Sequence, residues 1–408
     1  PGVFSVKQEE QEYLCNRPRR AANPVPVTLL EPIFAEFVDN CQNHQSMVYD
    51  NELVWRLSEK MSCFYPDELS RMNVFRHVLR QCGIILNSDG HLLSSDGMFV
   101  QVILEGKNEI GSDGAEPFAE AMLYHRKFMQ DSKVELAKLW SVMPCIHIIV
   151  FGACIGFAGS VFTYKVHLTP TYTIIPLFWH STDLRMQVMA ARTFGALKIA
   201  VEKMTDLYSC PIPTDVLILG SYTHSTSIGD TQEFSYDETQ ILRDRLIFFG
   251  ETVGDAAGSK ICIKFVRHYS PEAHKFCANK GHAPKLIAYN PLPGGWNMVI
   301  MDALDIDHDY LPQQPGSYRP LSKMAVMDRQ PLKEAITSLI QELHKDGYVH
   351  GDLRDANFVV RNNQDFMLLD FDWAGLKQET HYPMHVNRKD IRRPDDAWDG
   401  QKITYGGA

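Results

Sequence analysis

Apolar residues in the first part of the chain recur with a helical period. Val54, Leu57 and Met61 share one face of a helix, and a second helix is predicted over 67–82. The pattern then shifts to short apolar runs divided by turn residues. A strand that starts at Asp89, after Gly83-Ile-Ile-Leu-Asn-Ser, and the run Met98-Phe-Val-Gln-Val-Ile-Leu are expected to pair, with Ser94-Ser-Asp-Gly97 as the turn that folds them into a hairpin. A helix is predicted from Ala115 through Glu120 to Phe128, followed by core strands over 146–153 and 159–165 and a helix over 183–204. The run 145–162 is almost wholly apolar, but it contains His147 and three glycines and leads straight into another β-rich run. Buried strands are expected there, not a membrane span.

The second half has its own pattern. In Ser259-Lys-Ile-Cys-Ile-Lys264-Phe-Val, alternation puts Ile261, Ile263 and Phe265 on one strand face and Lys264 on the other. Glu272 opens a helix, and 296–301 reads as a strand. The segment 341–347 ends an amphipathic helix, Tyr348-Val349 is a short strand, and 366–369 is a buried strand with Asp370 at its end. Pro, Ser, Thr and Gly around 209–214 and 221–232 have linker chemistry, with a short strand over 216–220 between them. The expected organisation is a loosely ordered lead over 1–29, a first domain over 30–205, a linker over 206–240 and a second domain over 241–408.

Composition narrows the class. A chain of 408 residues exceeds one ordinary core, and 45% hydrophobic with 22% charged residues describes a globular protein with ample apolar material. A net charge of −10 argues against a generally basic nucleic-acid-binding surface. Nine scattered cysteines without C-x-x-C pairs or zinc spacing are read as reduced thiols of a reducing compartment. The polar, proline-rich first thirty residues do not read as a signal peptide.

Candidate chemistry is concentrated in two places. His350-Gly-Asp-Leu-Arg-Asp-Ala-Asn357 fits H-x-D-x-x-x-x-N, and Asp370-Phe-Asp372 follows thirteen residues after Asn357. Phosphoryl transfer needs this set: a carboxylate for the acceptor hydroxyl, then an amide and a carboxylate for metal. Upstream, Lys264 stands where a lysine would meet nucleotide phosphates. The glycines of Phe249-Gly250-Glu-Thr-Val-Gly254 could cover those phosphates or form an ordinary hairpin turn, and Glu272 could orient Lys264 or be a solvated first-turn acid.

Over roughly 242–408 the chain resembles the protein-kinase-like superfamily. That resemblance implies an α+β bilobal fold that uses ATP and Mg2+. It assigns Asp352 as catalytic base, Asn357 and Asp370 as magnesium ligands, Lys264 as phosphate lysine and Arg354 as a charge-neutralising residue. The Gly-Asp of His350-Gly-Asp352 and the second acid, Asp372, look more like small-molecule kinases. The chain also ends 38 residues after Asp370, which implies a short C-terminal lobe. These departures leave the acceptor open: a protein Ser/Thr hydroxyl is favoured, with a small-molecule hydroxyl or a non-catalytic nucleotide-binding scaffold as the alternatives.

In the first half, Glu105 and Lys107 lie two apart on one strand and point to one face, and the hairpin would bring Asp89 beside Glu105. Two carboxylates can hold magnesium for phosphodiester hydrolysis while the lysine neutralises charge, with Asp96 in the turn competing with Asp89 for the metal. This resembles the restriction-endonuclease-like superfamily, an α/β fold with a mixed sheet flanked by helices. The resemblance implies DNA as a partner, puts Glu120 where many such nucleases have Gln, and turns His125, Arg126 and Lys127 toward a phosphate backbone. From about Leu30 onward the combination resembles the Crinkler-type effectors of fungi and oomycetes. It implies an intracellular protein of cytoplasm or nucleus, or one translocated into host cells, without a membrane span.

Overall fold

The computed structural model describes residues 13–15, 25–110 apart from 82 and 89, 116–130, 142–209 apart from 163–165 and 172, 224–225, 231–242 apart from 233, 245–253, 258–306, 317–325 and 329–405 apart from 362–364, 385, 390, 392 and 396. The chain forms two compact units. One comprises Pro1–Tyr222 with Pro293–Gly295, the other Thr223–Leu292 with Trp296–Ala408. The stretch 206–240 contains the end of one unit's last helix and the start of a strand of the other; its proposed short strand over 216–220 lies outside the described residues.

The first unit begins with a short strand, β1 (Tyr13–Leu14), and a run of helices: α1 (Val27–Leu30), α2 (Pro32–Asn43), α3 (Val48–Met61) and α4 (Glu68–Arg80). Their starts follow from local chemistry. The Glu31 carboxylate accepts from the Ile33 amide with Pro32 just inside α2, and Asp67 caps α4 by accepting from the Ser70 amide. The hairpin β2 (His91–Leu93) and β3 (Val100–Lys107) is followed by helix α5 (Pro117–Met129), then strands β4 (Cys145–Phe151), β5 (Cys154–Phe162), β6 (Val166–Pro170) and β7 (Ile175–Pro176), and the long helix α6 (Leu184–Ser209).

The strands lie in the order β1-β6-β5-β4-β3-β2, with β7 paired to β5. The β3–β4 pair is parallel, as a helical crossover through α5 permits, and β1–β6 is parallel too; the other pairs are antiparallel. The apolar run 145–162 is thus two antiparallel strands, and no described helix is long and apolar enough to cross a membrane. Phe157 of β5 lies between Phe37 of α2 and Phe194 of α6, with ring centroids 5.7 and 5.9 Å away. Residue 159 must be glycine for this packing, since a Cβ there would lie 2.7 Å from the Phe34 ring.

The second unit opens with a two-residue ladder, β8 (His224–Ser225) with β9 (Thr231–Gln232). A five-stranded antiparallel sheet follows, ordered β10 (Phe234–Leu242), β11 (Ile247–Thr252), β12 (Lys260–Val266), β14 (Trp296–Asp302), β13 (Leu286–Leu292). Helix α7 (Pro271–Asn279) connects β12 to β13 and is capped by the Ser270 hydroxyl, which accepts from the Ala273 amide.

Downstream lie β15 (Arg319–Pro320), helix α8 (Gln330–Lys345), β16 (Tyr348–Val349), β17 (Phe358–Arg361), β18 (Asp365–Leu368) and β19 (Gly375–Leu376). Leu332, Leu339 and Leu343 line one face of α8 and bury against Phe358, Val360, Phe366, Leu368 and Phe371. This core fixes the loops after β16 and β18, which carry the two linked motifs.

Candidate functional site

In the second unit, a cavity of about 480 Å³ is lined by Ile247, Phe249, Met301 and Leu304 on its apolar side and by Lys264, Asn357, Asp370 and Asp372 on its polar side. Strand alternation delivers Lys264 from β12: Ile261, Ile263 and Phe265 are buried in the sheet face and Lys264 takes the other direction. Its Nζ lies 2.5 Å from both Asp370 Oδ1 and Asp372 Oδ1. Burial pulls the lysine's pKa down, but the two carboxylates outweigh burial and the net direction is upward.

The acids respond oppositely. Burial raises Asp370, but Lys264 prevails and holds it below the usual carboxylate range. Burial and the Asp370 charge, opposed by Lys264, push Asp372 up to about 6. Asp370 adopts a left-handed backbone (φ 67), a conformation that Asp tolerates better than most residues and that recurs at functional sites.

The catalytic-loop motif is set by His350. It is fully buried, and its Nε2–H donates to the Leu369 carbonyl at 3.1 Å while Nδ1 accepts from the Asp352 amide at 3.4 Å. Acceptance at Nδ1 requires neutral imidazole, and burial lowers the pKa to about 4. The Phe371 ring lies between His350 and His274, with centroids 5.1 and 4.7 Å away, and thereby couples the Asp370 segment to the loop. Gly351, at φ 78, explains the Gly-Asp sequence: a Cβ there would lie 2.6 Å from the Trp373 carbonyl.

Asp352 is only 5% exposed. Asn357 Nδ2 donates to both its carbonyl and its Oδ2, at 2.8 and 2.9 Å, and Arg354 Nε reaches Oδ2 at 3.1 Å. Arg393, which no motif identified, forms an ion pair with Oδ1.

Two sequence expectations for this site change. Lys264 pairs with Asp370 and Asp372, whereas Glu272 is an exposed residue in the first turn of α7, where an acid suits the helix dipole. Gly250 is not in a loop; it is buried within β11 opposite Ile261. Gly254 lies outside the described residues. Sequence reading also missed His274, which lines the cavity, donates from Nε2 to the Pro284 carbonyl at 2.7 Å and accepts from the Tyr269 hydroxyl at 2.7 Å.

In the first unit, Lys107 ends β3 and is 8% exposed. Its Nζ lies 2.7 Å from Glu120 of α5 and 3.7 Å from Glu105, two residues back on its own strand. Burial and the Glu120 charge, opposed by Lys107, push Glu105 up to about 7. Asp89 lies outside the described residues, although its neighbour Gly90 is described and accepts from the Leu104 amide at 2.9 Å. Asp96 is committed to the turn, accepting from the Ser94 hydroxyl and the Met98 amide.

His125 does not face outward as expected. It is fully buried, bonded through Nδ1 to Ser160 Oγ, while Lys127 is exposed and Arg126 half-buried. Arg71 was also missed. It is buried beneath the end of β3, where it donates to Glu109 Oε1 (2.5 Å), Asn108 Oδ1 (3.2 Å) and the Met61 carbonyl (3.0 Å).

No family model matches the chain, and no curated protein matches it. Among solved structures it is similar to PK-1, the kinase of Cydia pomonella granulovirus, at 14% identity and a TM-score of 0.25. That match is partial, covering 35% of this chain and 54% of the viral one, so the chain spans about half the length of the structure it matches.

Proposed function

We propose that the second unit is an ATP-dependent phosphotransferase acting on a protein Ser/Thr hydroxyl. One observation supports this above all: Lys264, Asn357, Asp370 and Asp372, from three separate segments, meet at one cavity with Asp352 bonded to Asn357 beside it. The apolar lining suits a nucleobase, and Lys264 suits phosphate oxygens. Among the described residues, no three His, Cys, Asp or Glu side chains are grouped to hold a metal ion. Magnesium does not need such a cage, because it keeps waters and phosphate oxygens and takes one or two carboxylates. Asp370, Asp372 and the Asn357 amide are the hard oxygen donors that fit it, and bound magnesium would neutralise phosphate charge.

In this reading Asp352 Oδ1 accepts the acceptor hydroxyl's proton. The new bond forms between the acceptor oxygen and the γ-phosphorus, the bond to the bridging oxygen breaks, and ADP leaves with that electron pair. Lys264 holds the phosphates in line, and His350 keeps Asp352 at a fixed distance from Asp370. The test is transfer of labelled γ-phosphate to a mixed protein acceptor. Asp352→Ala should abolish it while leaving the thermal shift with ATP and magnesium intact; incorporation equal to wild type rejects the assignment. Stabilisation by ATP without transfer in wild type would instead identify a nucleotide-binding scaffold.

A second reading concerns the first unit, for which we propose magnesium-dependent phosphodiester hydrolysis. Its support is the Glu105–Lys107–Glu120 cluster at the end of a sheet strand, which gathers two carboxylates and a lysine within ion-pair distance. Asp89 would join Glu105 as metal ligand. Nicking of plasmid DNA with magnesium, compared between wild type and Lys107→Ala, tests it.

A further inference from the structure

The proposed catalytic base is already occupied by a cation from elsewhere in the chain. Asp352 Oδ1 is paired with Arg393, and Oδ2 is held by Arg354 and Asn357. A carboxylate in that state cannot readily take a hydroxyl proton through Oδ1 until Arg393 has another partner. Withdrawing Arg393 without replacement would strand a buried guanidinium, since its side chain is only 6% exposed. Whatever enters must therefore bring its own negative charge.

The segment carrying Arg393 is built to deliver it. Its ends are joined by hydrogen bonds from the Tyr382 amide to the Gln401 carbonyl (2.8 Å) and from the Ile403 amide to the Thr380 carbonyl (2.9 Å). Tyr382, Ala397 and Ile403 bury against Val349, which anchors the base of the loop beside the catalytic motif. Within the loop, Arg388 Nη1 donates to the Ala397 carbonyl at 2.7 Å. The Arg393 guanidinium lies 4.8 Å over the Trp373 ring, and its buried Nε has no hydrogen-bond partner among the described residues. A donor is thus left over beside the ion pair with Asp352.

We propose that Arg393 is a specificity-determining residue of the acceptor site and that the acceptor is an acidic peptide. A carboxylate next to the acceptor hydroxyl would exchange with Asp352 on the Arg393 guanidinium, satisfy the spare Nε–H and release Oδ1 for the proton. Binding of the correct acceptor then frees the base, so that recognition and activation are the same event. The inference rests on the phosphotransferase reading, and its test separates the two.

Two fluorescent serine peptides, one flanked by Asp and Glu and one by Asn and Gln, are titrated by anisotropy into full-length wild type, Arg393→Ala and Arg393→Lys, with phosphotransfer kinetics in parallel. Wild type should bind the acidic peptide about tenfold more tightly than the neutral one. Arg393→Ala should bring that ratio close to one, with KM for ATP unchanged, and Arg393→Lys should keep part of it. A melting curve with ATP reports folding of each variant, and the lysine variant carries the test if the alanine variant unfolds. Absence of discrimination in wild type overturns the inference, as does equal discrimination in Arg393→Ala. So does an equal fall in kcat for both peptides with binding unchanged, which would make Arg393 a residue that only orients Asp352. Arg393-dependent acidic-peptide binding without phosphate transfer supports the inference while rejecting the phosphotransferase reading.

Discussion

Each unit holds a nearly buried lysine between two carboxylates, but the two arrangements are built differently. Lys107 meets Glu105 from its own strand and Glu120 from the next helix, at 3.7 and 2.7 Å. Lys264 meets two acids from one turn more than a hundred residues away, both at 2.5 Å, at the edge of a cavity. In each, one acid is raised, Glu105 to about 7 and Asp372 to about 6, because burial and a second acid outweigh one lysine. Buried ion pairs in which one partner is outnumbered are costly to keep for stability alone. The first cluster is closed within one strand and the helix that follows it, whereas the second is assembled over a long range at the edge of a cavity.

The largest effect should come from the long-range site. Asp370→Asn keeps the shape but leaves one carboxylate on Lys264, and should cut phosphotransfer by about a thousandfold, as loss of a preorganised electrostatic group does. Wild-type turnover in that variant would make the Lys264 cluster structural and end the contrast. Lys107→Ala is its counterpart. Magnesium-dependent nicking should fall by about a hundredfold, and equal nicking by both proteins would leave the first unit with an ion cluster but no chemistry.

The two sites were not equally legible, for a physical reason. Short linear motifs report groups that one turn or strand end must present together, so Asp352, Asn357 and Asp370 could be read from spacing, and Lys264 from strand alternation. Contacts closed by tertiary packing leave no such trace. Arg393 lies 41 residues beyond Asp352 in an irregular loop, and its pairing depends on how Tyr382 and Ile403 anchor that loop. Asp372 looked like a departure from a motif and is half of the lysine's environment.

Where sequence logic failed, a bland local explanation prevailed. Glu272 suits a helix start, and Gly250 sits inside a strand. A basic run on a helix cannot all face one way: at 100° per residue His125 turns inward to Ser160 while Lys127 remains exposed. The fold followed the same rule. The hairpin turn at Ser94–Gly97, the helix start at Asp67 and the amphipathic end of α8 were readable because period and turn chemistry are local, whereas the parallel β3–β4 pairing and the partners of α6 were not.

Acid titration sharpens the contrast further. His350 and His274 are buried neutral with pKa values lowered to about 4, against 6.5 for the free side chain. The unfolded chain takes these protons first, so the stability they contribute is whole above pH 6.5 and is lost as pH falls toward 4. At pH 5 the loss should be about 2 kcal/mol for each. Denaturant titrations at pH 7 and pH 5 should show the midpoint falling, with the ATP-induced thermal shift shrinking in step, because both histidines pack on the Phe371 ring beside Asp370. A midpoint that holds or rises between the two pH values would reject the neutral assignment.

Glu105 has the opposite sign. Its folded pKa of about 7 lies above its ordinary 4.5, so its contribution is complete below pH 4.5 and is lost as pH rises through 7. A divalent cation must displace its proton, so magnesium should stabilise the first unit more at pH 8 than at pH 6. Glu120→Gln removes the charge that, after burial, does most to raise Glu105, and should move the onset of magnesium stabilisation down by about one pH unit or less. This is the smallest of the expected effects and the most specific to the local site, because no partner of Lys264 contributes to it. If the onset stays fixed in Glu120→Gln while Lys107→Ala moves it upward, burial and the lysine alone set the Glu105 proton. Glu120 would then be a partner of Lys107 only, and the resemblance between the two lysine sites would reduce to geometry.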